Sequence, residues 1–216
     1  MSHAIHVTFV PQRYLRSTAA EFLEAHKAHA TIPVDIERIV EFDLGLDIIP
    51  IPGLQRLCRT DAFISSDFGS ISVDDELFEP RFQSRYRFSL AHEIAHLLLH
   101  RDIFVSRSIR SAEEYVAFFA SMDPVEYDQL EWQANELAGL VLVPPSALAE
   151  RFLKVKRWAE ERGASLEKYG ESALYVVANR LKDDFKVSRQ VVEFRLQKDK
   201  LITLSGAPRM RREARH

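Results

Sequence analysis

Residues 85–100 read Arg85-Tyr-Arg-Phe-Ser-Leu-Ala-His-Glu-Ile-Ala-His-Leu-Leu-Leu-His100, and this stretch decides how the chain is interpreted. Its apolar residues recur with the period of an α-helix, which predicts a helix over residues 82–100. His92 and His96 stand four positions apart, so they lie on one face of that helix, about 6 Å from each other. This spacing lets two imidazole nitrogens bind one zinc ion at about 2.0–2.1 Å each.

Glu93 completes an H-E-x-x-H motif with the two histidines. At the edge of the same helix face, it can act as a general base on a water molecule at the metal without binding the metal itself. A chance match is expected in fewer than about one in a hundred chains of this length, and it need not fall in a helix. Here apolar residues back the motif, and Ala91 and Ala95 permit close packing. The motif therefore predicts a catalytic metal site.

A catalytic zinc site usually has three protein ligands and a water molecule, so the two histidines leave it one ligand short. Residues 125–140 are predicted to form a second helix, which carries Glu131 and, one turn further on, Asn135. We predict that Glu131 binds the metal and that Asn135 hydrogen-bonds the far nitrogen of a ligand histidine. Glu136 is the weaker candidate because it lies about 140° around the helix from Glu131, and we expect it to face solvent.

Two other residues of metal-binding type lie near the motif. His100 is about 12 Å along the helix axis from His92, too far to share its metal, so we expect a helix cap or a surface residue. Cys58 is most simply a small buried apolar residue. Its thiolate could also occupy the open position on zinc and hold the enzyme inactive, because thiolate is a good zinc ligand.

The composition is that of an ordinary globular protein. The 216 residues are 46% hydrophobic and 28% charged, and the net charge of −3 gives no overall attraction to nucleic acid or membrane. A single cysteine cannot form an internal disulfide, so the fold does not depend on an oxidising compartment. With no signal peptide and no membrane-spanning segment visible, we expect a cytoplasmic protein.

The order of predicted elements indicates an α+β fold. Strands are predicted over residues 5–10, 47–52, 62–66 and 70–74, and the last three should form a small antiparallel or mixed sheet. Helices are predicted over residues 13–28, 34–42, 82–100, 111–120, 125–140, 145–158, 171–184 and 188–198. We predict one domain over residues 1–204, followed by a basic, disordered tail over residues 205–216.

Two separate motifs resemble one known family. The second motif follows residues 85–100 and runs from Glu131 to Pro144 as Glu-x-x-Ala-Asn-x-x-Ala-x-x-Val-Leu-x-Pro. With the upstream segments 61–65 and 71–74, they resemble the ImmA/IrrE family of metallopeptidases over residues 33–152. The resemblance implies a zincin-like fold, a small three-stranded sheet packed with a mainly helical body.

The resemblance also implies roles for individual residues. His92, His96 and Glu131 would bind the metal, and Glu93 would be the catalytic base. Zn²⁺ suits two imidazoles and one carboxylate, with Mn²⁺ as the alternative. The chain departs from the family pattern in residues 113–127, an added acidic and aromatic stretch that we interpret as a lid or substrate loop. The oxyanion-stabilising group stays open among Tyr86, Tyr115, Tyr127 and several arginines.

Members of this family cleave a helix-turn-helix transcriptional repressor, usually encoded beside them, and so switch on an operon. Those operons belong to mobile elements, DNA-damage responses or phage defence. The chain most resembles the stand-alone members, including the CapP-type proteases of anti-phage operons. The resemblance therefore implies a repressor protein as the substrate.

Residues 171–201 support a second hypothesis, because they read as helix, tight turn and helix, with Val187-Ser-Arg-Gln190 resembling the start of a recognition helix. Residues 179–200 contain seven Lys or Arg and four Asp or Glu. The chain could thus be a DNA-binding transcriptional regulator with a structural or inactive metal site. We favour the peptidase, because this charge excess is modest for phosphate binding. In a combined hypothesis the basic end senses single-stranded DNA and releases the protease.

Overall fold

The computed structural model describes residues 5–107, 109–166 and 170–203. The strands are β1 (Asp47–Ile51), β2 (Ala62–Ile64) and β3 (Ser70–Asp74). The helices are α1 (Gln12–Ala25), α2 (Ile36–Arg38), α3 (Leu54–Cys58), α4 (Gln83–Leu99), α5 (Arg101–Val105), α6 (Ala112–Ala120), α7 (Pro124–Leu142), α8 (Pro145–Glu160), α9 (Gly170–Phe185) and α10 (Arg189–Lys198). Two short 3-10 turns, Asp75–Phe78 and Pro80–Phe82, lead from β3 into α4.

The helices α4 and α7 pack against each other and form the centre of the fold. Small side chains at buried positions allow the two backbones to approach closely. These side chains are Ala91 and Ala95 in α4, and Ala134 and Ala138 in α7. The second half of α7, residues 137–142, is buried on every side, which explains why its sequence is apolar without helical periodicity. This pairing holds the two predicted metal-binding segments side by side.

The three strands form one mixed sheet in the order β1-β3-β2. β1 runs parallel to β3, with Asp47 opposite Ser70, and β2 runs antiparallel to β3, with Ala62 opposite Val73. β2 lies at an edge of the sheet and packs on α4. The α+β class and the three-stranded sheet are therefore confirmed, and the sheet delivers one edge strand to the helix that carries the motif.

The strand predicted over residues 5–10 is wrong. These residues form an irregular segment that lies along α7 and pairs with no strand of the described chain. Its backbone groups bond to side chains of α7 instead: Val7 N–H donates to Glu126 Oε2 at 2.6 Å, and Gln133 Nε2 donates to Thr8 O at 2.9 Å. Alternating β-branched residues predict an extended chain, but they do not say what will satisfy its backbone.

The helix predicted over residues 34–42 is also different. It consists of the three-residue α2 and a π-helical turn, Ile39–Asp43, that follows directly. The short helices α3 and α5 were not predicted, because five residues are too few to show a helical period. The other predicted helices and strands match the structure with ends shifted by a few residues.

The C-terminal pair α9 and α10 is joined by a short turn in which Lys186 has a φ of 50°. Ser188 caps α10 by accepting a hydrogen bond from Val191 N–H at 3.4 Å. α10 packs on α9 and contacts α7. The predicted tail, residues 205–216, lies outside the described residues, and the single domain over residues 1–204 stays a prediction. Across the described ranges, no helix has the length and apolar character needed to cross a membrane.

Candidate metal centre

The helices α4 and α7 bring His92, His96 and Glu131 together, with one ligand atom of each within 4.8 Å of the others. His92 Nε2 lies 3.0 Å from His96 Nε2 and 3.3 Å from Glu131 Oε2. His96 Nε2 lies 3.5 Å from Glu131 Oε1. Two residues one turn apart on α4 and one on the facing helix thus direct three ligand atoms toward a common point.

The chemistry of this triad fits a metal ion. Two imidazole nitrogens and a carboxylate oxygen are a donor set that suits zinc. Glu131 Oε1 is buried and has no hydrogen-bond partner among the described residues. A buried acceptor left without a partner costs about 1–3 kcal/mol, and a cation between the three side chains would satisfy it.

The ring nitrogens that face away from the triad also have partners. His92 Nδ1 lies 3.2 Å from Asn135 Oδ1, one turn beyond Glu131 on α7. An amide oxygen only accepts, so His92 Nδ1 donates, and the neutral form of His92 has its lone pair for a metal at Nε2. His96 Nδ1 lies 3.0 Å from His100 Nδ1.

Glu93 lies beside the triad and is held by the sheet. Its Oε2 accepts a hydrogen bond from Ile64 N–H, on the edge strand β2, at 2.9 Å. Burial raises the pKa of Glu93 to about 8, with the charge of His92 opposing this shift and that of Glu131 adding to it. A carboxyl group with a pKa near neutrality can both take up and release a proton, as a general base and acid must.

The three side chains of the triad shift one another's pKa values. Burial alone would lower the pKa of His92, but hydrogen bonding to Glu131 and its charge raise it to about 9. For His96 burial prevails and the pKa is lowered. Burial would raise the pKa of Glu131, but its contacts with His92 and His96 hold it well below its usual range. At neutral pH, His92 therefore carries a proton beside an ionised Glu131.

We expect Zn²⁺ binding at pH 7 to release about one proton, because the ion must displace the proton that His92 carries below pH about 9. The apparent affinity should rise by up to about tenfold per pH unit from about pH 6 to 9 and then level off. Titration calorimetry in buffers of different ionisation enthalpy measures the proton count. An affinity independent of pH over this range would contradict the expectation.

A cleft of about 770 Å³ opens onto His92, Glu93 and Glu131. Part of its lining comes from α4, from Asp61 and from Ala62, the first residue of the edge strand β2. The rest comes largely from residues 113–127, which form α6 and the start of α7. The stretch interpreted from the sequence as a lid or substrate loop is thus mainly a helical part of the cleft lining.

The structure separates the three tyrosines considered as oxyanion donors. Tyr115 and Tyr127 line the cleft, whereas Tyr86 packs on Phe78 in a different cavity. The Tyr115 hydroxyl donates to Thr60 Oγ1 at 3.4 Å. Burial, followed by the charges of Glu93 and Glu131, raises the pKa of Tyr115, so its hydroxyl keeps its proton and stays a donor.

Residues 82–197 match the family described as the IrrE N-terminal-like domain of the M78 peptidases. The match covers more than half of the chain and contains α4, α7 and the whole triad. The chain belongs to the ImmA/IrrE family of metallopeptidases. Its fold is therefore zincin-like, and the matched span begins and ends later than the 33–152 segment over which the motifs resemble the family.

This ImmA/IrrE chain is also similar to part of a much longer protein. It is 23% identical over 183 residues to a protein of Halomonas elongata named NAD-specific glutamate dehydrogenase. The alignment covers 83% of this chain and 10% of that protein, so the chain spans about a tenth of the length of this relative. At this level of identity, the likeness does not assign the named activity to the metallopeptidase.

Cys58 is not brought into the triad of this metallopeptidase. It ends α3 and lines the same cleft, but its Sγ donates to Ala112 O at 3.8 Å. Burial and then the charge of Glu113 raise the pKa of Cys58, which favours the thiol over the thiolate that binds zinc. The arrangement does not support Cys58 as an inhibitory ligand.

The expected position of Glu136 is wrong, whereas one of the two roles expected for His100 is confirmed. Glu136 does not face solvent: it is 1% exposed and forms an ion pair with Lys198 Nζ at 2.6 Å. His100 does cap α4, but it is buried rather than a surface residue. Burial and then His96 lower the pKa of His100 to about 3, so its ring stays neutral. Glu136 is buried because α10 packs on α7 and places Lys198 beside it, and His100 is buried against His96 and Gln133.

Sequence reasoning missed Gln133, whose Oε1 lies 3.0 Å from His100 Nε2. A signal was present, since His100 follows His96 by one turn and Gln133 stands between Glu131 and Asn135 on the second motif helix. Spacing on α4 places His100 beside His96, but only the packing of α7 on α4 brings Gln133 to the same point.

Proposed function

We propose that this metallopeptidase is a zinc-dependent endopeptidase that cleaves a helix-turn-helix transcriptional repressor at one site. Cleavage would derepress a stress or phage-defence operon, with single-stranded DNA as the trigger. The observation that carries the peptidase chemistry is the triad of His92, His96 and Glu131, with Glu93 beside it in an open cleft. The repressor as substrate follows from the family resemblance.

The residues of the centre have separate roles in this proposal. His92, His96 and Glu131 would hold a zinc ion, which supplies a Lewis acid that polarises a peptide carbonyl and lowers the pKa of water. Glu93, oriented by Ile64 N–H, takes a proton from the attacking water molecule and gives it to the leaving amine nitrogen.

The cleft supports a polypeptide substrate. It is open rather than enclosed, and its aromatic lining from Phe88, Tyr115 and Phe119 offers apolar contact to side chains on either side of a scissile bond. The edge strand β2 borders this cleft, and strand edges present backbone groups to which an extended peptide can bond.

The alternative, a DNA-binding regulator, is less well supported. The basic side chains of α10 are engaged in ion pairs: Arg189 with Glu193, Arg195 with Asp199, and Lys198 with Glu136. Arg195 is fully buried and cannot reach a phosphate group. The pair α9 and α10 also falls almost entirely inside the span matched by the peptidase family. We therefore interpret the pair as part of the peptidase fold.

One surface feature supports single-stranded DNA as the trigger. Trp158 on α8 is 47% exposed, and the guanidinium carbons of Arg162 and Arg180 lie 4.4 and 5.6 Å from its ring centroid. An exposed aromatic ring flanked by cations is the kind of surface on which single-stranded bases stack.

The test uses the helix-turn-helix protein that the family resemblance implies is encoded beside this chain. The two purified proteins are incubated with Zn²⁺, with and without a single-stranded oligonucleotide, and the fragment masses are measured. We expect a single cut that is faster with the oligonucleotide. Failure of the zinc-loaded protein to cut under either condition would contradict repressor cleavage. Equal rates with and without the oligonucleotide would contradict the trigger alone.

Tyr115 is our candidate for stabilising the oxyanion. Replacing Tyr115 by Phe should lower kcat by about 10²–10³-fold with little change in KM, the usual cost of losing one oxyanion donor. Tyr127→Phe is the matched control, because Tyr127 also lines the cleft but is partly exposed. Steady-state kinetics on the cut repressor measure both variants. A larger loss in Tyr127→Phe would reassign the role.

A further inference from the structure

A row of hydrogen-bonded groups lies behind His96, on the side away from the triad. His96 Nδ1 is 3.0 Å from His100 Nδ1, His100 Nε2 is 3.0 Å from Gln133 Oε1, and Gln133 Nε2 is 2.9 Å from Thr8 O. His96, His100 and Gln133 are 2%, 3% and 0% exposed, so bulk water cannot replace any of these bonds. The positions of the hydrogens therefore depend on the protein groups themselves.

The carbonyl of Thr8 sets the direction of the whole row. A backbone carbonyl only accepts, so the Gln133 atom that faces it must be the NH₂ group, and Oε1 then faces His100. Oε1 also only accepts, so His100 carries its proton on Nε2 and presents a lone pair at Nδ1. His96 must then donate from Nδ1, which leaves its Nε2 unprotonated and directed at His92 and Glu131.

The reverse direction is unfavourable. It requires the Gln133 amide to be flipped, which would set two carbonyl oxygens about 2.9 Å apart in a buried place. Neither oxygen would then have a donor, and a buried polar group without a partner destabilises the folded protein.

The partner of His96 is itself a histidine, and this is why the whole row of hydrogen bonds matters. A ligand histidine commonly donates its far N–H to a carbonyl or carboxylate oxygen, which can only accept. His92 follows that pattern through Asn135. His100 can either donate or accept at Nδ1, so it specifies the tautomer of His96 only if its own tautomer is specified from beyond.

We propose that Thr8, Gln133 and His100 are positioning residues that fix the neutral tautomer of His96 and so keep its Nε2 free for the metal. This role rests on the proposed metal centre. The row of hydrogen bonds connects three parts of the protein: the irregular N-terminal segment, α7 and the end of α4. Thr8 lies outside the span matched by the peptidase family, so the N-terminal segment contributes to the centre from a distance.

The first measurement is the tautomer of His96 in the metal-free wild-type protein at pH 7.5. Ring-nitrogen NMR distinguishes Nδ1–H from Nε2–H, and the His96 signals are assigned by their loss in His96→Gln. We expect Nδ1–H in the wild type and an increased Nε2–H fraction in His100→Leu, which has no acceptor for His96. A proton on Nε2 of wild-type His96 would overturn the proposal.

The second measurement is Zn²⁺ affinity by competition with a chromophoric chelator. We expect His100→Leu to bind Zn²⁺ about 10–100-fold more weakly than the wild type. Gln133→Leu should weaken binding less, because it acts one bond further away. His100→Gln should stay within a few-fold of the wild type, because an amide can accept from His96 and donate to Gln133. Circular dichroism checks that each variant is folded.

The outcomes separate this proposal from the metal centre itself. Tight wild-type binding with unchanged affinity in folded His100→Leu would overturn the positioning role and leave the metal centre intact. A wild-type protein that bound no Zn²⁺ would refute the proposed metal centre. The positioning role of the row of hydrogen bonds would then be refuted as well. Should His100→Leu not fold, Gln133→Leu and the wild-type tautomer still decide the question.

Discussion

Replacing Glu93 by Gln should lower the rate of peptide cleavage by about 10²–10⁴-fold while Zn²⁺ affinity stays close to that of the wild type. The amide cannot take a proton from water, and it retains the shape of the carboxyl group. Its oxygen can still accept from Ile64 N–H, so the packing of β2 on α4 should persist. Fragment masses from the repressor give the rate, and chelator competition gives the affinity.

A matched change far from the cleft serves as the control for Glu93→Gln. Glu150 lies on α8 and forms an exposed i,i+4 ion pair with Lys154, so Glu150→Gln should leave the rate unchanged. If Glu93→Gln retained full activity with metal bound, Glu93 would not be the base and the proposed mechanism would be wrong.

Replacing Arg195 by Ala should lower the free energy of unfolding by about 3–5 kcal/mol. Arg195 is fully buried and binds both oxygens of Asp199, each at 2.8 Å, while its Nη1 lies 4.0 Å from Glu136 Oε2. Without the guanidinium group, two largely buried carboxylates lose a counter-charge and a cavity opens under α10. The stem of Arg195 also packs over Gly139, where a Cβ would meet Arg195 Cδ at 3.4 Å.

A second arginine on α10 provides the control for the loss of the buried ion pair. Arg189 forms an i,i+4 pair with Glu193, and both side chains are partly exposed, so Arg189→Ala should cost only about 0.3–0.5 kcal/mol. Denaturant unfolding of both variants and the wild type gives the two differences. Equal losses would contradict the view that the buried pair holds α10 against α7.

The common face of His92 and His96 could be predicted because the relation between these two residues is local. An α-helix sets residues four apart on one face whatever surrounds it, so His92 and His96 had to point the same way. The same rule places Asn135 one turn from Glu131 on α7. The three short strands could be predicted from their β-branched residues and the turn between β2 and β3, and strand order needed the structure.

The partners of these residues depended on packing that no local rule describes. Residues 5–10 alternate like a strand, yet their backbone groups bond to side chains of α7 because that helix lies beside them. The geometry of α7 alone predicts that Glu136 points to solvent, whereas in the structure α10 covers it with Lys198.

The sequence by itself determined which residues can bind a metal, since residue type and helical spacing are properties of a single segment. Only the tertiary structure decided how those residues are held. The contact of His100 with Gln133, and of Gln133 with Thr8, joins segments far apart in the chain. Such contacts arise when buried polar groups must find partners inside a packed core, and that requirement is met by whichever element lies nearest in space.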